Sequence, residues 1–255
     1  MVEQFNLDGE SKDKRATLKE KGIVSFDVGV TSKERDSIEK IQIKKELPQF
    51  NYYGPVNETL VQELTVYLNQ LDGNAEAIIQ SVSELIAKVA EGMQKDFNAE
   101  SAWVMVRVTM PNHDFDVPRW HQDGHYVRPK DGTSEPEEKE HKLVFTVKGA
   151  PTRFAEITDA EKFKELSEES EKNHARYRGR NRKKYDEEDV KIRKQLESTV
   201  KETDPVEKEQ ATIYLVGDED AKAHSEPPMD TPRIFMSVVT GSHEQIAEFK
   251  KRSKK

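Results

Sequence analysis

The stretch PRWHQDGHYV, residues 118–127, places His121, Asp123 and His125 between a tryptophan and a tyrosine. On an extended strand, residues i and i+2 point to the same side. His121 and Asp123 can therefore reach one metal ion from a single strand end. Two histidines and one carboxylate make the facial triad that holds non-haem Fe(II) and leaves coordination positions open. The His-x-Asp pair alone is weak evidence, because seven histidines among 49 acidic residues produce such pairs by chance. A third ligand has to come from a neighbouring strand.

His224 fits that role, since it follows the strand-like run ATIYLVG and the turn GDED. His243, which follows a second strand and TGS, competes with it but has no arginine at a useful distance beyond. Arg233 lies nine residues after His224 and opens the run RIFMSVV. A guanidinium there can pair bidentately with a carboxylate at the inner end of a pocket, which a lysine cannot reproduce. A metal triad with such an arginine describes a site for Fe(II) and 2-oxoglutarate. His125 reads either as a support for the ligands or as a polar loop residue. Tyr126 reads as a hydrogen-bond partner of the keto acid, a lining of the substrate mouth, or a packed aromatic. Trp120 reads as core, and His113, His141 and His174 fall into no pattern.

The elements that must position these residues change texture along the chain. GIVSFDVGV reads as a short strand. Thr31 and Glu34 are spaced as a capping box, which predicts a helix that stops before Pro48. Leu60, Val61, Leu64, Tyr67, Leu68 and Leu71 form one apolar helical face, and LDGN breaks it. Ile78, Ile79, Val82, Leu85, Ile86, Val89 and Met93 form a second such face on a helix from Asn74. Strands follow in SAWVMVRVTMP, HKLVFTVKG, ATIYLVG and PRIFMSVVTG. Helices first and strands later predict an α+β chain with helices packed on an antiparallel sheet or sandwich.

Residues 158–210 are more than half charged and read as a partly helical surface insertion, with Ile192, Leu196 and Val200 on one face. Its run RYRGRNRKK (176–184 holds Arg176, Arg178, Arg180, Arg182, Lys183 and Lys184) is a solvated face or a contact for phosphate, nucleic acid or an acidic partner. Residues 1–22 are expected to be a flexible N-terminus and 244–255 a basic C-terminal tail, with one domain spanning the chain. The net charge of −8 argues against whole-protein attraction to nucleic acid. With no cysteine, disulfides, thiol catalysis and thiolate metal sites are excluded. No apolar run is long enough to span a bilayer, so a cytoplasmic protein is expected, with the tail KKRSKK a frayed end or a nuclear address.

WHQD followed by VGDEDAKAHSEPPMDTPRIFMSV resembles the Fe(II)/2-oxoglutarate-dependent dioxygenases, especially the prolyl-hydroxylase-like branch. Gly217 and Asp218 precede His224, and Arg233 follows it, at that branch's usual intervals. VMVRVTMP and KLVFTVKGAPTRF match the strands on either side of the motif, and the resemblance covers about residues 100–155 and 210–242. It implies a double-stranded β-helix (jelly roll) with supporting N-terminal helices. It further implies Fe(II) on His121, Asp123 and His224, 2-oxoglutarate on Arg233 and Tyr126, O2 as co-substrate and ascorbate as reductant. The expected reaction is hydroxylation of a polar or macromolecular substrate such as a protein. Two other readings stand beside it. One is a cupin-like metalloprotein that does not use 2-oxoglutarate, and the other is a non-enzymatic binding module acting through the charged insertion.

Overall fold

A computed structural model describes residues 5–6, 11–127, 139–177, 182–217 and 219–253. Asp218 and most of the basic run at 176–184 lie outside the described residues or side chains. In chain order the elements begin with β1 (Phe5–Asn6), α1 (Ser11–Lys21), β2 (Ile23–Asp27), α2 (Ser32–Lys40) and β3 (Leu47–Gly54). Next come α3 (Glu58–Leu68), α4 (Glu76–Asp96), β4 (Ser101–Thr109), β5 (His141–Lys148) and β6 (Arg153–Ile157). The chain continues through α5 (Ala160–Tyr177), α6 (Arg182–Glu197), β7 (Val200–Glu202) and β8 (Gln210–Leu215). It finishes with β9 (Ala223–Ser225), β10 (Arg233–Gly241) and α7 (His243–Arg252).

Two sheets form. The larger runs β1-β2-β8-β5-β10-β4-β3, and the smaller runs β7-β6-β9. Strands β4, β10, β5 and β8 are antiparallel neighbours. The small sheet gains a fourth member through the antiparallel bridge between His121 and His224. From β4 onward the chain passes back and forth between the two sheets, from β4 to the His121 bridge, to β5, to β6 and β7, to β8, to β9 and to β10, so it winds as a double-stranded β-helix, the expected jelly roll.

The period-two alternation of the strands separates two apolar layers. Val104, Val106, Leu143, Phe145, Ile213, Leu215, Ile234 and Met236 join the core on one face, with Leu64, Ile79, Leu85 and Met93 of the two amphipathic helices. On the opposite face Val144, Tyr214 and Val216 pack with Phe154 of the small sheet. That second face is the interior between the sheets, and the site lies there.

Several expectations change on folding. The capping box of α2 is present, with Thr31 and Glu34 reciprocally bonded, but the helix ends at Lys40. The Lys148 ammonium takes the carbonyls of Ile38, Glu39 and Ile41, and these terminate the helix; β3 then starts at Leu47. Within the segment expected to be flexible, α1 packs on α4 through a buried ion pair from Lys14 to Asp96 at 3.0 Å. The expected basic tail forms α7, whose Ile246 is buried and whose Phe249 lies against Trp103. Its Ser242 and Gln245 form a capping box, so the basic residues extend an ordered amphipathic helix. Insertion 158–210 is also more than a surface addition. Phe163, Leu166, Ile192 and Leu196 make a satellite core with Trp120, Ala155 and Ala223, and β7 is a strand of the small sheet. Among the described residues no helix is long and apolar enough to cross a membrane.

His141, at the start of β5, stacks on Phe97 with ring centroids 3.5 Å apart. Burial pushes its imidazole down to about 4 from an ordinary 6.5. The folded chain then holds fewer protons than the unfolded one between these values, so stability falls as pH drops from 6.5 to about 4. His141→Gln, which cannot take the proton, is expected to flatten part of that decline in melting temperature measured by circular dichroism. An unchanged slope would show that His141 does not contribute.

Candidate metal centre

His121 and His224 are brought together by their own backbones. The N–H of His121 donates to the His224 carbonyl at 3.0 Å, and the N–H of His224 donates to the His121 carbonyl at 2.9 Å. Directly opposed residues of an antiparallel pair project to the same face, and here the two imidazole centroids stand 4.2 Å apart. Asp123, two residues on, joins them. One nitrogen of each ring and one carboxylate oxygen all lie within 4.8 Å of one another, and this is the cluster with metal-ligand geometry among the described residues.

The protonation of the cluster follows from its hydrogen bonds. His121 Nδ1 lies 2.8 Å from the Arg119 carbonyl and His224 Nδ1 lies 3.2 Å from the Lys222 carbonyl. A carbonyl can only accept, so Nδ1 carries the proton in both rings and Nε2 offers a lone pair. Burial holds both imidazoles neutral, with His224 pushed down to about 3 and His121 lowered as well. Burial works against ionisation of Asp123, but the Lys142 ammonium beside it holds its carboxyl well below the usual range. His224 Nε2 is 3.4 Å from Asp123 Oδ2. Tyr214 has a single hydroxyl proton, which it donates to that Oδ2 at 2.8 Å, and its oxygen is 3.3 Å from His224 Nε2. The centre is thus rich in lone pairs and poor in protons. Its donors suit Fe(II), which two imidazoles and one carboxylate hold with positions left open.

The cluster opens into a cavity of about 530 Å³. Arg233 lines the same cavity and is 4% exposed. Its Nε donates to the Ala150 carbonyl at 2.9 Å, and one terminal nitrogen donates to Thr146 and Thr152 hydroxyls at 3.2 Å each. Its guanidinium lies over the Phe235 ring. Among the described residues no carboxylate makes an ion pair with it, and burial pushes it down to about 10. An uncompensated buried cation costs several kcal/mol unless an anion joins it. Arg233 is thus suited to take an anion, in the same cavity as the His-Asp-His cluster.

The remaining candidates separate cleanly. Tyr126 lines the cavity and packs against Trp103, with its hydroxyl 2.9 Å from Lys142 Nζ. His125 points away from the cluster to Glu140, 3.1 Å off. Trp120 is buried in the satellite core. His243 sits at the opposite end of β10 from Arg233, with Nδ1 against the Ser101 hydroxyl, and takes no part. Sequence reasoning missed Lys142, Tyr214 and the ion pair of Arg119 with Glu226 at 2.7 Å. A signal was present in HKLVFTVK, where a lysine shares its strand face with Val144 and Thr146.

No protein-family model matches the chain, and no curated protein matches it. Similar solved structures include the rice dioxygenase for auxin oxidation, at 8% identity and a TM-score of 0.44 over 94% of this chain and 83% of that one. A Pseudomonas putida prolyl-4-hydroxylase aligns at 10% identity and a TM-score of 0.37, over 91% and 98%. A 2OG-Fe(II) oxygenase family oxidoreductase from Burkholderia pseudomallei aligns at 12% identity and a TM-score of 0.38, over 93% and 95%. The chemistry of the site rests on its own residues.

Gly217 ties this site to the main sheet. It has φ +88°, donates its N–H to the Asp123 carbonyl at 2.8 Å, and leaves no room for a Cβ beside the His125 ring. Both constraints require glycine. Gly217→Ala is expected to displace the 123–125 loop and weaken Mn(II) binding by about tenfold or more, while the far-UV spectrum is retained. Unchanged Mn(II) affinity in a titration would show that the turn does not set the position of Asp123.

Proposed function

We propose that this protein is an Fe(II)- and 2-oxoglutarate-dependent oxygenase. The observation that carries this reading is the pairing, in one cavity, of a proton-poor His-Asp-His cluster with a buried arginine that makes no ion pair among the described residues. His121, Asp123 and His224 hold the metal. Arg233, steadied by Thr146, Thr152 and the Ala150 carbonyl, takes the distal carboxylate of the keto acid. When bound, Fe(II) and 2-oxoglutarate supply O2 activation with oxidative decarboxylation to succinate and CO2, and hydroxylation of a substrate C–H bond.

The chain's own contribution is geometry and exclusion of water. The backbone pair fixes the two imidazoles, and their Nδ1–H bonds fix the ring orientation so that Nε2 is presented. Tyr214 and Lys142 hold the Asp123 carboxylate in place. Phe235 and Val144 shield the stretch of cavity between the metal ligands and Arg233, which strengthens every charge interaction there. Tyr126 closes the wall beside Lys142, so its part in holding the keto acid is assigned through that lysine.

The substrate side of the cavity carries Glu46, Arg107, Asp114 and Arg119 along with Trp103 and Phe115. Charges of both signs beside aromatic rings suit a polar or macromolecular substrate, a protein segment among them, over a lipid. The insertion reaches this side, because Arg193 of α6 donates to the Asp114 carbonyl at 2.5 Å.

The test is an anaerobic titration with Fe(II) and 2-oxoglutarate, followed through the visible charge-transfer band of the chelate. Wild-type protein is expected to develop the band only when both are present, and His121→Ala to lose it. Arg233→Met is expected to weaken 2-oxoglutarate about a hundredfold while metal affinity is retained. Tight metal binding without a band would overturn the co-substrate assignment and leave a cupin-like metalloprotein. Neither metal nor band would return attention to the charged insertion as a binding module.

A further inference from the structure

Lys142 brings into the cavity a buried positive charge that neither the placing of Asp123 nor the anchoring of the keto acid on Arg233 requires. It is the second residue of β5, and its side chain is 9% exposed. Its ammonium donates to Asp123 Oδ2 at 2.9 Å and to the Tyr126 hydroxyl at 2.9 Å. Lys142, Val144 and Thr146 alternate along one face of the strand, and Thr146 in turn holds Arg233 at 3.2 Å. One strand face therefore carries a cation against the metal's carboxylate ligand at one end and a support of the anion anchor at the other. Holding Asp123 in place needs no charge: Tyr214 already does so with a neutral hydroxyl at 2.8 Å. A buried ammonium also costs more to desolvate than a neutral donor.

We propose, on the footing of the oxygenase reading above, that Lys142 is a positioning residue whose charge divides affinity between the metal and its anionic co-substrate. Two neutral imidazoles, one carboxylate and one ammonium make a centre with no net charge. A divalent metal entering it keeps its full double charge, where an anionic ligand set would have offset part of it. The metal is consequently held less tightly, because the ammonium repels it and draws electron density from Asp123. The dianion of the keto acid is held more tightly, because it meets the whole metal charge and a nearby ammonium as well. The two effects have opposite signs. A lysine that only held Asp123 in position would affect both in the same direction.

The measurement pairs Mn(II) binding, read from the loss of the free-ion electron paramagnetic resonance signal, with calorimetric titration of 2-oxoglutarate into the Mn(II)-loaded protein. Lys142→Met is expected to bind Mn(II) about tenfold tighter and 2-oxoglutarate about tenfold weaker, the range for one nearby buried charge. Lys142→Arg, which keeps the charge, is expected to return both values toward wild type. Lys142→Gln keeps hydrogen-bonding capacity without charge and serves the same comparison should the Met variant misfold. Weakening of both ligands together in Lys142→Met or Lys142→Gln, with the fold retained, would overturn the proposal and make Lys142 a brace for Asp123. No change in either would overturn it too. Failure of the wild-type protein to bind Mn(II) at all is a separate result, and it would remove the oxygenase reading itself.

Discussion

The reciprocal backbone pair between His121 and His224 is the constraint on which the rest of the site depends. It joins residues more than a hundred positions apart and places both side chains on one face without help from either ring. Everything near the metal centre is referred to it. Asp123 follows at i+2, the two Nδ1–H bonds reach carbonyls two residues before each histidine, and Ser225 Oγ accepts the Arg119 N–H at 2.9 Å. A register slip of one residue at this bridge would turn both imidazoles to the opposite face. The small sheet, with the satellite core of Trp120, Phe163 and Leu196 behind it, resists such a slip.

Charge beside the metal-binding cluster is paired, whereas the buried Arg233 makes no ion pair among the described residues. Asp123 faces Lys142, and Glu226 faces Arg119, whose proximity holds the Glu226 carboxyl well below its ordinary range against the effect of burial. Arg233 hydrogen-bonds only neutral oxygens, lies over an aromatic face, and makes no ion pair among the described residues. A low-dielectric interior strengthens the field of that cation. It gives the inner end a positive sign, which favours an anion there, in the same cavity as the His-Asp-His cluster.

The insertion and the terminal helix do more than decorate this frame. Arg193 of α6 pairs with Asp189 at 2.6 Å and reaches the Asp114 carbonyl, and the guanidiniums of Arg193 and Arg119 each lie 5.9 Å from the Phe115 ring centroid. The loop that lines the outer cavity is therefore gripped from the insertion on one side and from the Arg119–Glu226 pair on the other. On the far wall α7 buries Trp103 and touches Tyr126 through Phe249, and Arg252 donates to the Tyr126 carbonyl. Two segments that read as solvated charge in one dimension are walls in three.

The two long amphipathic helices, the main strands and the candidate metal-binding residues are legible in the sequence. Apolar residues at helical spacing marked α3 and α4, alternation marked β4, short apolar runs marked β5, β8 and β10, and the intervals from His121 and Asp123 to His224 and Arg233 marked the candidate site. These are local periodicities and short spacings, which a linear reading can register. Only the tertiary structure placed Lys142 and Tyr214 on Asp123, because both faces of their strands are buried and no alternation distinguishes the cavity side. Only it showed β3, where LPQFNYYG mixes a proline with polar residues, as a strand at the sheet edge, and showed Lys14 buried against Asp96. A buried charge is recognised by its partner, and partners separated by 82 residues in one case and 19 in the other come together only when the chain has folded.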